Sequence, residues 1–301
     1  MQPSGILSVR NVIEAVMSDQ PRTKAFIGAT KDRIRNFNGD PRIVYEIGCG
    51  PFPIPAIVAA LETPNAIVRC IEINPLSAKI ADLVIKKLRL EDRITIQFGN
   101  ALDPAMLPKA GETIDVLFSE TAGVGLMDEQ LTKILPRYAR YLTPDKGVAI
   151  PQDVRLSAAL VPNNKGITQS PRENKYPLIL DTRGEYMPRI PASEWKTIME
   201  ADLTEVIAKV IGTIEIPDDV TPQKLDEEYM VGVAAEFFLA PQKKRILERY
   251  RTVPTSPALL TIHVPEELKE EDPRKLEIRI EYAPGSRSDD MTPKATVMRK
   301  N

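Results

Sequence analysis

Among 301 residues there are only two cysteines, one histidine and one tryptophan. That scarcity excludes a structural zinc site, which takes four Cys or His ligands, so no metal is expected. It equally excludes a disulfide framework. Cys49 and Cys70 sit in apolar, strand-like stretches and read as buried thiols of a reducing compartment. No apolar run approaches the ~20 residues a membrane-spanning helix needs. Residues 1–10 lack a basic start followed by an apolar core, so neither a secretory leader nor a membrane partner is expected and a cytoplasmic location is. Excess charge is also missing: 40 basic and 42 acidic side chains leave a net charge of −2. Nothing in that balance points to nucleic acid, whose phosphates call for a basic face.

What the chain does have is a change of pattern near residue 150. Before it, short apolar runs alternate with helical spacing. Strands are expected at Ile43–Ile47, 66–73, Ile94–Phe98, 114–119 and Val148–Ile150. Helices are expected at 54–61, 76–88 and 130–142, with a further helical stretch at 9–29 broken by Pro21. This alternation predicts a doubly wound α/β parallel sheet, Rossmann-like in architecture. After Pro151, strand-like runs at 154–161, 210–216, 231–239, 259–264, Leu276–Tyr282 and 295–298 lie among proline and charge. The alternation in Leu276–Tyr282 marks a half-exposed antiparallel strand. Residues 162–191 are irregular and polar, and 193–203 have helical spacing. Two domains follow: 1–150, with N-terminal helices over 1–40, and a β-rich, barrel-like 151–301.

The first motif with chemical content is Val44-Tyr45-Glu46-Ile47-Gly48-Cys49-Gly50-Pro51-Phe52-Pro53. A strand ends, glycines turn, and a helix follows. Ligands of open parallel sheets bind at such strand ends, and glycines let them approach the backbone. Glu72 ends the next strand, 26 positions after Glu46, where an acid accepts both hydroxyls of a ribose. A dinucleotide-binding loop would place glycine at the sixth position of its fingerprint and a pyrophosphate over the helix. Here that position is Pro53, and the turn follows the acid Glu46. An acid repels pyrophosphate and attracts an ammonium, which favours S-adenosylmethionine as cofactor. Asn100 and Ala101, after the third strand, offer a polar group and an amide to an adenine edge, although Gly-Asn is also an ordinary turn.

The second motif is Ser119-Glu120-Thr121-Ala122-Gly123, with Glu129 nine positions beyond Glu120. Two carboxylates at one strand end need a cation between them or a shared proton. A guanidinium fits, because its planar fork meets two carboxylates with paired hydrogen bonds. Glu129 serves equally as a favourable acid at the start of the following helix.

This segment resembles the double-glutamate loop of the protein arginine methyltransferases. The resemblance continues through Tyr138-Ala139-Arg140-Tyr141-Leu142-Thr143-Pro144 and upstream through Met17-Ser18-Asp19-Gln20-Pro21-Arg22-Thr23. It covers about residues 12–155. It implies a class I methyltransferase that binds S-adenosyl-L-methionine through Arg22, Glu46, Gly48, Gly50, Glu72, Asn100, Ala101 and Glu120. It implies Glu120 and Glu129 as catalytic residues on a guanidino group, and a homodimer built with an arm drawn from 162–203. The sequence departs from the family in several places. Residues 7–10 carry no aromatic pair, Phe52 replaces a loop glycine, and Leu102 stands where an acid is common. No Thr-His-Trp loop exists; the only histidine, His263, reads as a strand residue. These departures tilt the expected acceptor toward a small guanidine such as free arginine rather than protein arginine. An unrelated small-molecule N or O acceptor and a non-catalytic scaffold are the alternatives.

Overall fold

The computed structural model describes residues 20–37, 42–119, 121, 126, 130–163, 192–239, 258–284 and 294–300. Its first element is helix α1 (Gln20–Arg35). Of the expected helical stretch 9–29, residues 20–29 are helical and residues 9–19 lie outside the described residues. Then follow β1 (Ile43–Ile47), α2 (Ile54–Glu62), β2 (Ile67–Glu72), α3 (Pro75–Lys87), β3 (Ile94–Phe98), β4 (Val116–Ser119), α4 (Leu131–Ala139) and β5 (Val148–Ile150). The five strands form a sheet of order β3-β2-β1-β4-β5, parallel at every pairing. β1 and β4 run buried along nearly their whole length, as strands covered on both faces must.

From Asp153 onward a second sheet begins. Its strands are β6 (Asp153–Pro162), β7 (Lys196–Asp202), β8 (Val210–Glu215), β9 (Tyr229–Phe238), β10 (Ala258–His263), β11 (Leu276–Tyr282) and β12 (Lys294–Arg299), with helix α5 (Pro222–Glu228) before β9. The order is β7-β6-β9-β10-β12-β11-β8. All described pairings are antiparallel except β10 with β12. The outer strands β7 and β8 meet at Gly212, where a Cβ would lie 2.5 Å from the Cβ of Ile198. Glycine is what lets these two edges approach, so the sheet is nearly closed and barrel-like.

One expected element is corrected. Residues 193–203 do not form a helix: Lys196–Asp202 is strand β7, paired antiparallel with β6 through Asp153–Ala158. Cross-strand pairing overrides the helical spacing. Of the expected dimerisation arm, residues 164–191 lie outside the described residues. No helix among the described residues is long and apolar enough to cross a membrane.

Candidate active site

The site is assembled where β1, β2, β3 and β4 end. At the end of β1, Gly48 and Gly50 both take left-handed backbone angles, with φ of +73° and +60°. An L side chain is strained there. Gly48 has a second reason: a Cβ would lie 2.4 Å from Cγ2 of Thr121, beyond the end of β4. The Gly48 N–H is held by the carbonyl of Ile71 in β2 at 2.8 Å. The turn is therefore fixed on β2 and packed against Thr121 at the strand ends.

Glu72, buried at the end of β2, stitches three loops. Its Oε2 accepts from the N–H of Gly50, and its Oε1 accepts from the N–H of Asn74, each at 2.8 Å. Its carbonyl accepts from the N–H of Gly99 at 2.9 Å. A carboxylate offers about four lone-pair directions; two are used by these amides. The two oxygens thus keep acceptor capacity while being fixed in place. Asn74 in turn caps α3 by accepting from the amides of Leu76 and Ser77.

Glu46 is also buried. Its Oε2 accepts from the N–H of Ala56, in the first turn of α2, at 2.8 Å. The α2 dipole favours an anion at that place. Cys70 Sγ lies 4.0 Å from the same oxygen. The contact from Cys70 lowers the Cys49 thiol, but burial and the carboxylates of Glu46 and Glu72 outweigh it and push it up. Burial pushes the Cys70 thiol well above its ordinary range, with Cys49 adding to it. Both are unpaired, buried thiols, as expected.

After β3, the side-chain oxygen of the exposed Asn100 accepts from the Leu102 N–H at 2.9 Å. Ala101 is buried, and its carbonyl accepts from the Tyr138 hydroxyl of α4 at 3.1 Å. The same hydroxyl donates to the Met106 carbonyl at 3.2 Å. Tyr138 thus braces this loop, a role not visible in the sequence because its partners are backbone atoms. Asn74 was not singled out from the sequence, although Asn-Pro is a helix-start signal that could have found it. Phe98, Ile73 and Leu76, at the ends of β3 and β2 and the start of α3, expose large apolar side chains.

Residue 22 lies in α1, one turn before Phe26, and Phe26 packs edge-on against Phe118 of β4 at 5.2 Å. That contact brings the first turns of α1 to the β4 end of the sheet; the Arg22 side chain lies outside the description. At the end of β4, Ser119 is buried and shares a 2.9 Å hydrogen bond with Thr121. Glu120 and Glu129 lie outside the described residues. Between them Leu126 is buried, and Gln130 follows at the start of α4. His263 is an exposed residue of β10, beside Thr296 of β12, in keeping with a strand role. Among the described residues no cluster of metal ligands occurs.

A parallel sheet with a glycine turn and a buried acid at successive strand ends, joined to a nearly closed β-sheet, defines the class. It is the fold of the protein arginine methyltransferases. The chain is similar to PRMT6 solved with SAH, at a TM-score of 0.60 and 14% identity over 96% of this chain and 99% of that one. It is similar to the Trypanosoma brucei PRMT1 enzyme–prozyme heterotetrameric complex with AdoHcy, at 0.57 and 13% over 96% and 98%. Arabidopsis thaliana protein arginine methyltransferase 10, in an open conformation, gives 0.54 and 15% over 90% and 86%. These identities speak for fold. In sequence, the chain is 31% identical over 155 residues to an arginine N(omega)-methyltransferase of Streptomyces achromogenes subsp. streptozoticus. The match takes in 50% of this chain and 40% of that relative, so it spans less than half the relative's length. No family model matches the chain.

Proposed function

We propose that this chain is an S-adenosylmethionine-dependent methyltransferase acting on a guanidino group, with a small molecule such as free arginine as acceptor. The observation that carries the cofactor is Glu72, clamped between the Gly50 and Asn74 amides with acceptor capacity left. A ribose diol is the ligand such a fixed carboxylate suits. Gly48 and Gly50 supply the left-handed turn that an L residue would strain, with Cγ2 of Thr121 packed against Gly48. Phe98, Ile73 and Leu76 offer apolar surface next to the same strand ends, fit for a flat base. Arg22 is assigned to the cofactor carboxylate, Glu46 to its ammonium side, and Asn100 and Ala101 to the adenine edge. The relatives' names support the same reading.

When bound, the cofactor supplies a methyl group already activated on a sulfonium. The remaining work belongs to the chain. Glu120, also near the cofactor, and Glu129 grip the guanidinium from two sides, fixing one nitrogen in line for attack. Their charges draw the positive charge to the far nitrogens and leave the near one more nucleophilic. A free guanidinium holds its protons to about pH 12 or above. The proton therefore leaves during or after transfer, to one of the glutamates or to water.

The test is transfer of label from S-adenosylmethionine to free arginine, to arginine peptides and to an extract fractionated by size. Label on free arginine or a small guanidine supports the proposal. Label confined to large species moves the acceptor to protein arginine. Cofactor binding with no guanidine labelled points to another small-molecule N or O. Absence of cofactor binding overturns the enzymatic reading in favour of a scaffold. We also assign residues 1–150 to cofactor binding and 151–301 to acceptor and dimer contacts. A homodimer is the expected assembly, checked by sedimentation.

A further inference from the structure

A cleft of about 790 Å³ lies between α4 and the second sheet. Lys133, Arg137 and Arg140 stand along it at i, i+4 and i+7 of α4 and the turn that follows it. That spacing puts all three on one helix face. Leu102 and Leu107 line the cleft from the loop after β3. Val206, Ile207 and Pro284 line it from the loops that precede β8 and follow β11. Val206 is 72% exposed, unusual for an aliphatic side chain beside a cavity.

Among the described residues no acidic side chain lines the cleft. Acids next to the lining in sequence are otherwise placed: Asp103 is exposed and accepts from the Ala105 N–H, Glu281 pairs with Lys209 and Arg279, and Glu205 is exposed. The side chains of Arg137 and Arg140 make no hydrogen bond or ion pair among the described residues. The Nε of Arg137 is buried without any partner. A buried donor left unpaired is costly, and native proteins seldom leave one without a reason. The volume lies within the range of small-ligand sites, and the lining has their usual composition: apolar walls with a few convergent polar groups.

We propose that this cleft binds an organic anion with an apolar body, a carboxylate or phosphate headed by Arg137 and Arg140 and seated on Leu102, Leu107, Val206 and Ile207. The guanidinium groups match either headgroup with paired hydrogen bonds. The walls select against a bare inorganic ion. None of the individual residues named for the cofactor or the guanidinium lines it, so the site stands whether or not the chain transfers methyl groups.

The test is calorimetric titration of the full chain with sodium octanoate, octyl phosphate, 1-octanol and inorganic phosphate. Octanoate or octyl phosphate, or both, should saturate a single site, while octanol and inorganic phosphate bind far more weakly. Arg137→Gln and Arg140→Gln should each weaken the anion by about tenfold. Arg140 is exposed, so its variant keeps the fold even if Arg137→Gln does not; circular dichroism checks both. Three results overturn the proposal: no saturable binding of either anion, octanol binding as tightly as octanoate, or unchanged affinity in Arg140→Gln.

Discussion

Glu72 holds the site together with one side chain. Changing it to Gln replaces one of two amide-accepting oxygens by a donor, so either Gly50 or Asn74 loses its partner. We expect about 1 kcal/mol of lost stability and about tenfold weaker binding of S-adenosylhomocysteine, read by denaturant melts and calorimetry. Unchanged affinity would remove Glu72 from the site. Gly48→Ala should cost more stability. It meets both a left-handed φ and Cγ2 of Thr121, so we expect a loss of about 1–3 kcal/mol. Gly111→Ala, also at positive φ but with open space around it, carries the backbone part alone and should cost less. Glu120→Gln is expected to keep cofactor binding and lose most turnover. Wild-type turnover in that variant would sink its assignment. At this scale the sequence was informative wherever a residue type is demanded by backbone geometry or charge. Gly48, Gly50 and Glu72 were legible for that reason. The partners were not: that Glu46 would meet the Ala56 amide, or Tyr138 the Ala101 carbonyl, depends on how α2 and α4 lie on the sheet.

Elements of the first sheet were readable because buried parallel strands leave continuous apolar runs, as in Val116–Ser119, with turn residues between them. Strand β7 was not. It lies at the end of the second sheet's order, and its side chains range from exposed to half-buried with no regular alternation. Without an apolar face, nothing in its residues separates strand from helix. Its structure comes from β6, whose backbone groups need partners over Asp153–Ala158. Helix α5 is short and begins at Pro222, a start signal that carries weight only when a longer apolar stripe follows it. The approach of β7 to β8 gives a prediction at this scale. Gly212→Ala sets a Cβ against both Cβ and Cγ2 of Ile198. The Ile198 Cβ is fixed by its backbone and cannot rotate away, so the two strands must part. We expect a loss of about 1–3 kcal/mol, measured by urea denaturation. A variant as stable as the parent would mean that this contact does not hold the edges together.

Across the whole molecule, both sheets bury tyrosine hydroxyls. Tyr45 of β1 lies in the first sheet, donates to Glu112 at 2.8 Å and sits beneath Arg69 at 5.9 Å. Burial, and next the bond to Glu112, raise its pKa from the ordinary 10 to about 12, against the opposing pull of Arg69. Burial raises Tyr138 of α4 and Tyr282 of β11 in the same direction. The sign follows from linkage. In the unfolded chain these phenols ionise near their ordinary value, while in the folded protein they stay protonated to higher pH. Their contribution is complete below pH 10 and declines as pH rises through the folded values. Because Tyr45 and Tyr138 belong to the first sheet's layer and Tyr282 to the second sheet, alkali should loosen both halves together. We expect the urea midpoint to be flat just below pH 10 and to fall steadily from there to about 12. Tyr45→Phe should lower stability near neutrality, by the lost bond to Glu112, and make the alkaline slope shallower. The chain has eight tyrosines, so phenolate absorbance distinguishes the groups. Tyr45, Tyr138 and Tyr282 should release their protons only well above the ordinary value, where burial has moved them. Ionisation of these three at the ordinary value in a still-folded protein would show that neither layer excludes water from its hydroxyls.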